Sequence, residues 1–128
     1  MIALDASVLV AHFAPRDAHH EAATRLLRSA GDQMLIAHSL TVAEILVGGV
    51  KIGCGEQMLA DIEAVGVQLA TPTPGEPMRL ANLRATTGLK LPDCCVLDTA
   101  RSNTAALATF DAALARAAGL YDVPLAPN

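Results

Sequence analysis

The sequence predicts an α/β domain in which a mostly parallel central sheet of four to five strands is flanked by helices. Short apolar runs without polar alternation recur along the chain, as expected for strands that are buried on both faces of a parallel sheet. Helical patterns separate these runs, which indicates repeated strand–helix–strand units. The 128 residues suit one compact core, and no long linker divides them. We therefore expect a single domain over residues 1–128.

The predicted strands are four short apolar segments that are each followed by a helical pattern. The first of them is "MIAL", at the very start of the sequence. The four segments cover residues 1–4, 33–37, 67–70 and 105–110. The segment "LYDVPL" (120–125) predicts a further strand at the edge of the sheet.

The predicted helices follow from apolar residues at helical spacing and from helix end signals. They cover residues 7–13, 18–30, 42–53, 56–65, 76–88 (ended by Gly88), 93–102 and 112–119. Asp17 is expected to cap the second helix, and Ser39 or Thr41 the third. Pro92 suits the first position of the sixth helix, because proline is pre-organised for that position.

The composition argues against several functional classes. A formal net charge of −4 is unlike that of a protein that coats nucleic acid non-specifically, and the low aromatic content (2%) argues against binding mainly by stacked aromatic side chains. No apolar run predicts a transmembrane helix, and the first residues lack the pattern of a signal peptide. Three cysteines without a Cys-x-x-Cys motif indicate reduced thiols packed as small apolar residues. We therefore expect a cytoplasmic protein without membrane contact.

Four acidic residues fall where the carboxyl ends of the predicted strands should meet. Asp5 ends the first strand, Asp111 follows the fourth, Asp93 begins a helix, and Glu44 lies in the helix after the second strand. Ligands bind at this edge in open α/β sheets. Clustered carboxylates repel each other unless a cation compensates them, and oxygen ligands suit Mg²⁺ or Mn²⁺. The residues therefore predict a divalent metal site.

Each acid also has a plainer interpretation. Asp5, Asp93 and Asp111 occupy positions where a carboxylate could cap a helix. Glu44 could lie on the polar face of an amphipathic helix. Its neighbours in "TVAEILV" are apolar, however, so a solvated carboxylate is least expected there.

Four segments together resemble the acidic motifs of PIN-domain nucleases, and more narrowly of VapC-type toxins from bacterial toxin–antitoxin pairs. The segments are "MIALDASVLV", "TVAEIL", "GLKLPDCCVLDTA" and "LATFDAAL". The resemblance implies a PIN-like three-layer fold and an endoribonuclease whose catalytic and metal-binding residues are Asp5, Glu44, Asp93 and Asp111. It also implies Mg²⁺ or Mn²⁺ as cofactor, RNA as substrate, a homodimer, and a cognate antitoxin bound near the acids.

Several other residues stand close to these motifs. Ser7 and Thr109 match polar positions beside the first and last acids, where a hydroxyl can orient a carboxylate or a metal-bound water. Arg84 and Lys90 flank "LPD" and are weak candidates for phosphate contact, since ordinary solvated surface is the favoured interpretation of each. The four histidines lack the spacing of a zinc site, so we expect structural or surface roles for them.

Asp98 departs from the family pattern, which usually has a small apolar residue at this position. Asp93 and Asp98 are five residues apart, about 140° around a helix, so they do not share a face. We therefore expect that Asp98 is no metal ligand and that it forms an exposed pair with Arg101.

Three competing functions remain open from the sequence. A catalytically silent PIN domain could act as a binding module. Another Mg²⁺-dependent phosphate-transfer protein could use Asp5 as nucleophile, but the sequence Asp5-Ala6-Ser7 lacks the D-x-D that a dehalogenase-type phosphatase needs. A regulatory module could bind a protein partner and no metal.

Overall fold

A computed structural model describes residues 1–127 of the chain, and these residues form strands alternating with helices. The strands are β1 (Ile2–Leu4), β2 (Leu35–Ala37), β3 (Val67–Leu69) and β4 (Ala106–Ala108). The helices are α1 (Ala6–Phe13), α2 (His20–Ser29), α3 (Ser39–Lys51), α4 (Gly55–Ala64), α5 (Glu76–Thr87), α6 (Leu91–Ser102) and α7 (Ala112–Leu120). Each lies within a few residues of its prediction.

The strands form one four-stranded sheet in the order β3-β2-β1-β4, and every pairing is parallel. In β1, Ile2 pairs with Leu35 on one side and with Ala106 on the other. The strands are almost completely buried, apart from the outer strand β3. This burial explains why their sequences are apolar without alternation. The predicted parallel α/β fold is confirmed.

The sheet separates two hydrophobic clusters, so the fold has three layers. Ile2 and Leu4 point into a cluster with residues of α1 to α4, whereas Ala3 points into a cluster with residues of α5 to α7. The same alternation holds in β2, where Ile36 lies on the second face and its two strand neighbours on the first. This is the ordinary two-residue period of a strand.

The carboxyl ends of β1 and β4 meet where the chain changes direction across the sheet. From β1 the chain adds β2 and β3 on one side and then returns to place β4 on the other. The segment after β1 leads to α1 in the first layer, and the segment after β4 leads to α7 in the second. Such a switch point leaves a crevice between the two strands, which is where α/β sheets bind ligands.

Two predicted helix caps were wrong. α2 begins at His20, and Asp17 instead accepts a hydrogen bond from the backbone N–H of His19 (2.8 Å) in the preceding turn. The cap of α3 is His38, whose Nδ1 accepts from the backbone N–H of Leu40 (3.0 Å). Neither Ser39 nor Thr41 takes this role, because both already lie within the helix.

The segment 120–125 forms an isolated parallel bridge between Leu107 and Leu125 instead of a regular strand. Its position beside β4 agrees with the predicted edge of the sheet. None of the helices in residues 1–127 combines the length and the apolarity that a membrane-spanning helix needs.

Candidate active site

Asp5 follows β1 and is held by two hydroxyl groups. The residue is only 6% exposed, and its Oδ2 accepts hydrogen bonds from Ser7 Oγ and from Thr109 Oγ1, both at 2.7 Å. Asp5 stands at the N-cap position of α1, but its carboxylate makes no capping hydrogen bond. No hydrogen bond within residues 1–127 engages Oδ1. One oxygen is therefore fixed, and the other is left for a further partner.

The same hydroxyl groups join the ends of β1 and β4. Ser7 Oγ accepts from the backbone N–H of Phe110 (3.1 Å), and Thr109 Oγ1 accepts from that of Asp111 (3.0 Å). The backbone N–H of Asp5 donates to the carbonyl of Ala108 (2.9 Å). Ser7 and Thr109 thus orient a carboxylate, which is one of the two roles that the resemblance suggested for them.

Asp111 caps α7 with one carboxylate oxygen. Its Oδ1 accepts from the backbone N–H of Leu114 (2.9 Å), as a good N-cap does. The residue is exposed, and its second oxygen makes no hydrogen bond within the described chain. Capping and ligand binding are therefore compatible for Asp111, because they use different oxygens.

Asp93 lies half-buried in the first turn of α6, after the N-cap residue Lys90. Burial raises the pKa of Asp93, and the negative charges of Asp5, Asp111 and Glu44 raise it further, whereas Lys90 lowers it. The fold therefore brings the other three predicted acids within electrostatic range of Asp93. Like charges held at one place disfavour ionisation until a cation offsets them.

Glu44 lies on α3 and is exposed to solvent, as is its neighbour Ala43. The expectation that its apolar neighbours would bury it was wrong, because α3 leaves a wide part of its apolar surface uncovered. Val47 and Val50, for example, are 51% and 65% exposed. The charge of Glu44 nevertheless contributes to the raised pKa of Asp93, so Glu44 lies within electrostatic range of that acid.

The carboxylate oxygens of the four acids are the ligand type that a hard divalent cation prefers. Within the described chain their side chains do not form a closed metal-binding cluster. In residues 1–127, no three acidic, histidine or cysteine side chains lie close enough together to hold one ion. The repulsion that raises the pKa of Asp93 acts over a longer range than metal–ligand bonds. An all-carboxylate donor set suits Mg²⁺ or Mn²⁺, and sharing one ion would require these side chains to move closer.

The two candidate phosphate contacts differ in their surroundings. Lys90 is exposed and lies close enough to Asp93 to lower its pKa. Arg84 donates from Nη1 to the carbonyls of Gly88 (2.7 Å) and Leu89 (2.9 Å), so it braces the segment between α5 and α6. Of the two, Lys90 is the cation that is placed beside the acids.

Asp98 is not the exposed partner of Arg101 that the sequence predicted. It is 3% exposed, and it accepts two hydrogen bonds from Arg79 on α5, from Nε at 2.8 Å and from Nη2 at 3.1 Å. Arg79 also donates to Thr73 and to the carbonyl of Pro74, and the hydrogen bond with Asp98 raises its pKa. Arg101 instead lies over the ring of Tyr121, 4.5 Å from its centre. Asp98 thus ties α6 to α5.

Three of the histidines have structural contacts. His38 caps α3 through Nδ1, so its proton is on Nε2, which donates to Glu76 Oε1 (3.0 Å). His12 Nδ1 is 2.9 Å from Thr24 Oγ1, and burial lowers the pKa of His12. His20 Nδ1 is 2.9 Å from the carbonyl of Ala11. His19 is different, because it is exposed and stacks on Phe110 beside the acids.

The cysteines lie as expected for packed thiols. Cys94 and Cys95 are buried, Cys54 is half-buried, and all are free. Burial raises the pKa of Cys95 to about 11, which keeps this thiol protonated at neutral pH.

The fold and the site define a three-layer α/β protein with an acidic crevice at its switch point. The family model of the PIN domain matches residues 2–120, and the chain belongs to the PIN domain family. PIN domains are generally nucleases, and these nucleases generally use divalent metal ions.

The fold is also similar to that of a solved structure. The crystal structure of PAE2754 from Pyrobaculum aerophilum superposes with a TM-score of 0.63, at 19% identity, over 91% of this chain and 83% of that chain. At this identity the similarity concerns the fold alone. No curated protein matches the sequence significantly.

Proposed function

We propose that this PIN domain is a metal-dependent endoribonuclease that acts as the toxin of a toxin–antitoxin pair. The observation that carries this proposal is the buried carboxylate of Asp5 at the switch point, where Ser7 and Thr109 hold one of its two oxygens. Burial and the charges of Asp5, Asp111 and Glu44 also raise the pKa of the nearby Asp93. A cluster of like charges in a crevice is costly unless it serves a cation. Its position at the carboxyl ends of β1 and β4 is where this class of fold binds its ligands.

The chain's own residues have distinct roles in the proposed reaction. Asp5, Glu44, Asp93 and Asp111 would hold Mg²⁺ or Mn²⁺. When bound, such an ion makes water nucleophilic and stabilises the charge that develops on the phosphoryl group and the leaving oxygen. Ser7 and Thr109 keep the Asp5 carboxylate in one orientation through Oδ2. A carboxylate oxygen that is not engaged by the ion would accept the proton of the attacking water.

We propose single-stranded or looped RNA as the substrate. An open strand exposes its backbone and bases to a crevice, whereas an A-form helix hides them. Lys90 offers a positive charge beside Asp93, where a phosphate flanking the cleaved bond would be held. The net charge of −4 makes such local cations more important, because the protein as a whole does not attract RNA.

The direct test is cleavage of cellular RNA by the purified protein. We expect cleavage in Mg²⁺ or Mn²⁺, none in EDTA, and none by the Asp93→Asn variant in any buffer. Asp61→Asn is the matched control, since it removes one charge from the exposed side of α4. Calorimetric titration with Mn²⁺ completes the test. Metal binding without cleavage would favour a silent binding module, and no metal binding would favour a regulatory domain.

The antitoxin is proposed to bind the apolar groove between α3 and α4. This groove has a volume of about 790 Å³ and is lined by Leu46, Val50 and Leu59, among others. The nearby Ile52 is 79% exposed. An amphipathic helix of a partner could cover such a surface.

The groove is tested by co-expression with the protein that a neighbouring reading frame encodes. We expect that Val50→Glu cleaves RNA normally but is no longer neutralised. Met78→Glu on α5, which also replaces an exposed apolar residue, is the control and should still be neutralised. Neutralisation of both variants alike would place the antitoxin elsewhere.

The homodimer is proposed from the family resemblance. Light scattering of the purified protein should give about twice the chain mass of 13.2 kDa. A mass that stays at one chain over the accessible concentrations would show a monomer.

A further inference from the structure

A pair of stacked rings borders the acidic crevice. The imidazole of His19 lies 4.5 Å from the ring of Phe110, measured between ring centres, and the two planes differ by only 7°. Phe110 stands between Thr109, which binds Asp5, and Asp111. One of the two phenylalanines of the chain is thus placed directly beside the proposed catalytic residues.

Both residues are held in place through their backbone, and Phe110 also through its side chain. The backbone N–H of Phe110 donates to Ser7 Oγ, and its half-buried side chain packs against the core cluster of the first layer. The backbone N–H of His19 donates to Asp17 Oδ1 (2.8 Å) at the start of α2. His19 is exposed, so part of this residue is open to solvent although its ring stacks on Phe110.

The second histidine–phenylalanine pair of the chain shows what a structural pair looks like here. His12 and Phe13 are neighbours in α1, both half-buried, with their rings 5.0 Å apart at an angle of 63°. His12 also contacts Thr24 through Nδ1. That pair is half-buried between α1 and α2, whereas the pair of His19 and Phe110 is nearly parallel, includes an exposed ring, and lies beside Thr109 and Asp111.

We propose that the stacked rings of His19 and Phe110 form a platform on which one unpaired nucleobase of the RNA stacks beside the cleavage site. This inference rests on the proposed function and adds to it how the strand is held. Unpaired bases stack on aromatic side chains, histidine included, and such contacts tolerate every base because each has a flat face. A purine covers more of a ring than a pyrimidine does, so the platform favours purines.

The platform also explains how an acidic crevice with Lys90 as its neighbouring cation would retain a single strand. Lys90 lies near Asp93 and would hold a phosphate, while the rings beside Asp111 would hold a base. A base and a phosphate bound on different sides of the acids would stretch the backbone across them. The cleaved bond would then lie next to the base on the platform.

The test measures binding separately from cleavage. Short single-stranded RNAs carry 2-aminopurine, whose fluorescence falls on stacking, and are bound to Asp93→Asn protein so that they stay intact. We expect fluorescence quenching with the Asp93→Asn protein and little quenching with the double variant that also carries His19→Ala. For RNA that has a base at every position, His19→Ala should raise the dissociation constant roughly tenfold. RNA with an abasic residue in place of the 2-aminopurine should bind equally to the proteins with and without His19→Ala.

Two further variants make the result specific. Phe110→Leu should reproduce the loss of quenching, and Phe13→Leu should leave quenching unchanged because its pair lies within α1. His19 is exposed, so His19→Ala keeps the test valid even if Phe110→Leu fails to fold. Equal weakening for intact and abasic RNA, unchanged quenching in His19→Ala, or no RNA binding by the parent protein would each overturn the platform.

Cleavage assays with protein that keeps Asp93 separate this proposal from the proposed function. Quenching that depends on His19, in a protein that cleaves no RNA, would support the platform and reject the nuclease. Metal-dependent cleavage whose KM is the same with and without His19→Ala would support the nuclease and reject the platform.

Discussion

Thr109 donates its hydroxyl hydrogen to Oδ2 of Asp5 at 2.7 Å, and this bond joins residues that are 104 positions apart in the sequence. It connects the end of β4 with the end of β1 at the switch point of the sheet. Ser7 donates to the same oxygen, so a single carboxylate oxygen is fixed from both sides. The crevice is therefore pre-organised at Asp5 and more open at Glu44 and Asp111, which are exposed.

Loss of either hydroxyl should weaken catalysis without preventing folding. We expect Ser7→Ala or Thr109→Val to lower metal-dependent cleavage about 10- to 100-fold, as is typical for groups that orient a metal ligand. Thr109→Ser keeps the hydroxyl and should retain most of the activity. Initial cleavage rates over a Mn²⁺ series measure the effect. Full activity in Thr109→Val would mean that the orientation of Asp5 is unimportant.

Asp93→Asn should make the metal-free protein more stable. Burial and three like charges raise the pKa of Asp93, so its ionised form is disfavoured in the folded state. The contribution of protonated Asp93 to stability is fully present below the pKa of the unfolded chain. It is lost as the pH rises through the raised pKa of the folded state.

The stabilising effect of Asp93→Asn should therefore be absent in acid and grow towards neutral pH. Thermal unfolding in EDTA, compared between the two proteins across this range, measures it. Mn²⁺ should reverse the order of the two melting temperatures, because it stabilises the parent protein, which binds it, and not the variant. A variant that is less stable than the parent at neutral pH in EDTA would contradict the repulsion among these acids.

The acids at strand ends could be predicted from the sequence, and their exposure could not. Asp5 and Asp111 each follow a buried strand, and parallel topology alone brings such positions to one edge. Glu44 was expected to be shielded by its apolar neighbours, but α3 exposes much of its apolar surface. An apolar helix face that is exposed and one that is buried in the core have the same hydrophobic pattern in the sequence.

Asp98 shows the limit of reasoning from local spacing. Its helical phase correctly separates it from Asp93, yet its partner is Arg79 on the preceding helix and not Arg101 one turn away. A contact between two helices depends on how they pack, which no spacing within one helix reveals. The histidine cap of α3 was missed for a similar reason, since His38 is held by a backbone bond to Leu40 and by a contact with Glu76 on a distant helix.

Asp98→Ala should lower stability and spare catalysis. It leaves the guanidinium of Arg79 without the carboxylate that holds α5 to α6, so the melting temperature should fall. Because Asp98 faces α5, cleavage by the folded variant should stay within about threefold of the parent, since a group with no part in transition-state binding changes kcat/KM little. Cleavage rates well below the melting temperature test this. A loss as large as that of Asp93→Asn would mean that the pair with Arg79 positions the acids.

Glu44→Gln should abolish toxicity in cells while leaving the fold intact. If the chain is a ribonuclease toxin, its production without an antitoxin should stop growth, because cleavage of one essential class of RNA halts translation. Glu44 is exposed and makes no side-chain hydrogen bond within residues 1–127, so its replacement disturbs little besides the charge in the crevice. Glu63→Gln is the matched control, since Glu63 is also an exposed glutamate of a neighbouring helix, α4. Growth arrest should persist with Glu63→Gln and disappear with Glu44→Gln at equal protein levels. Arrest by both variants, with no metal-dependent cleavage by the purified parent, would mean that binding and not catalysis causes the harm.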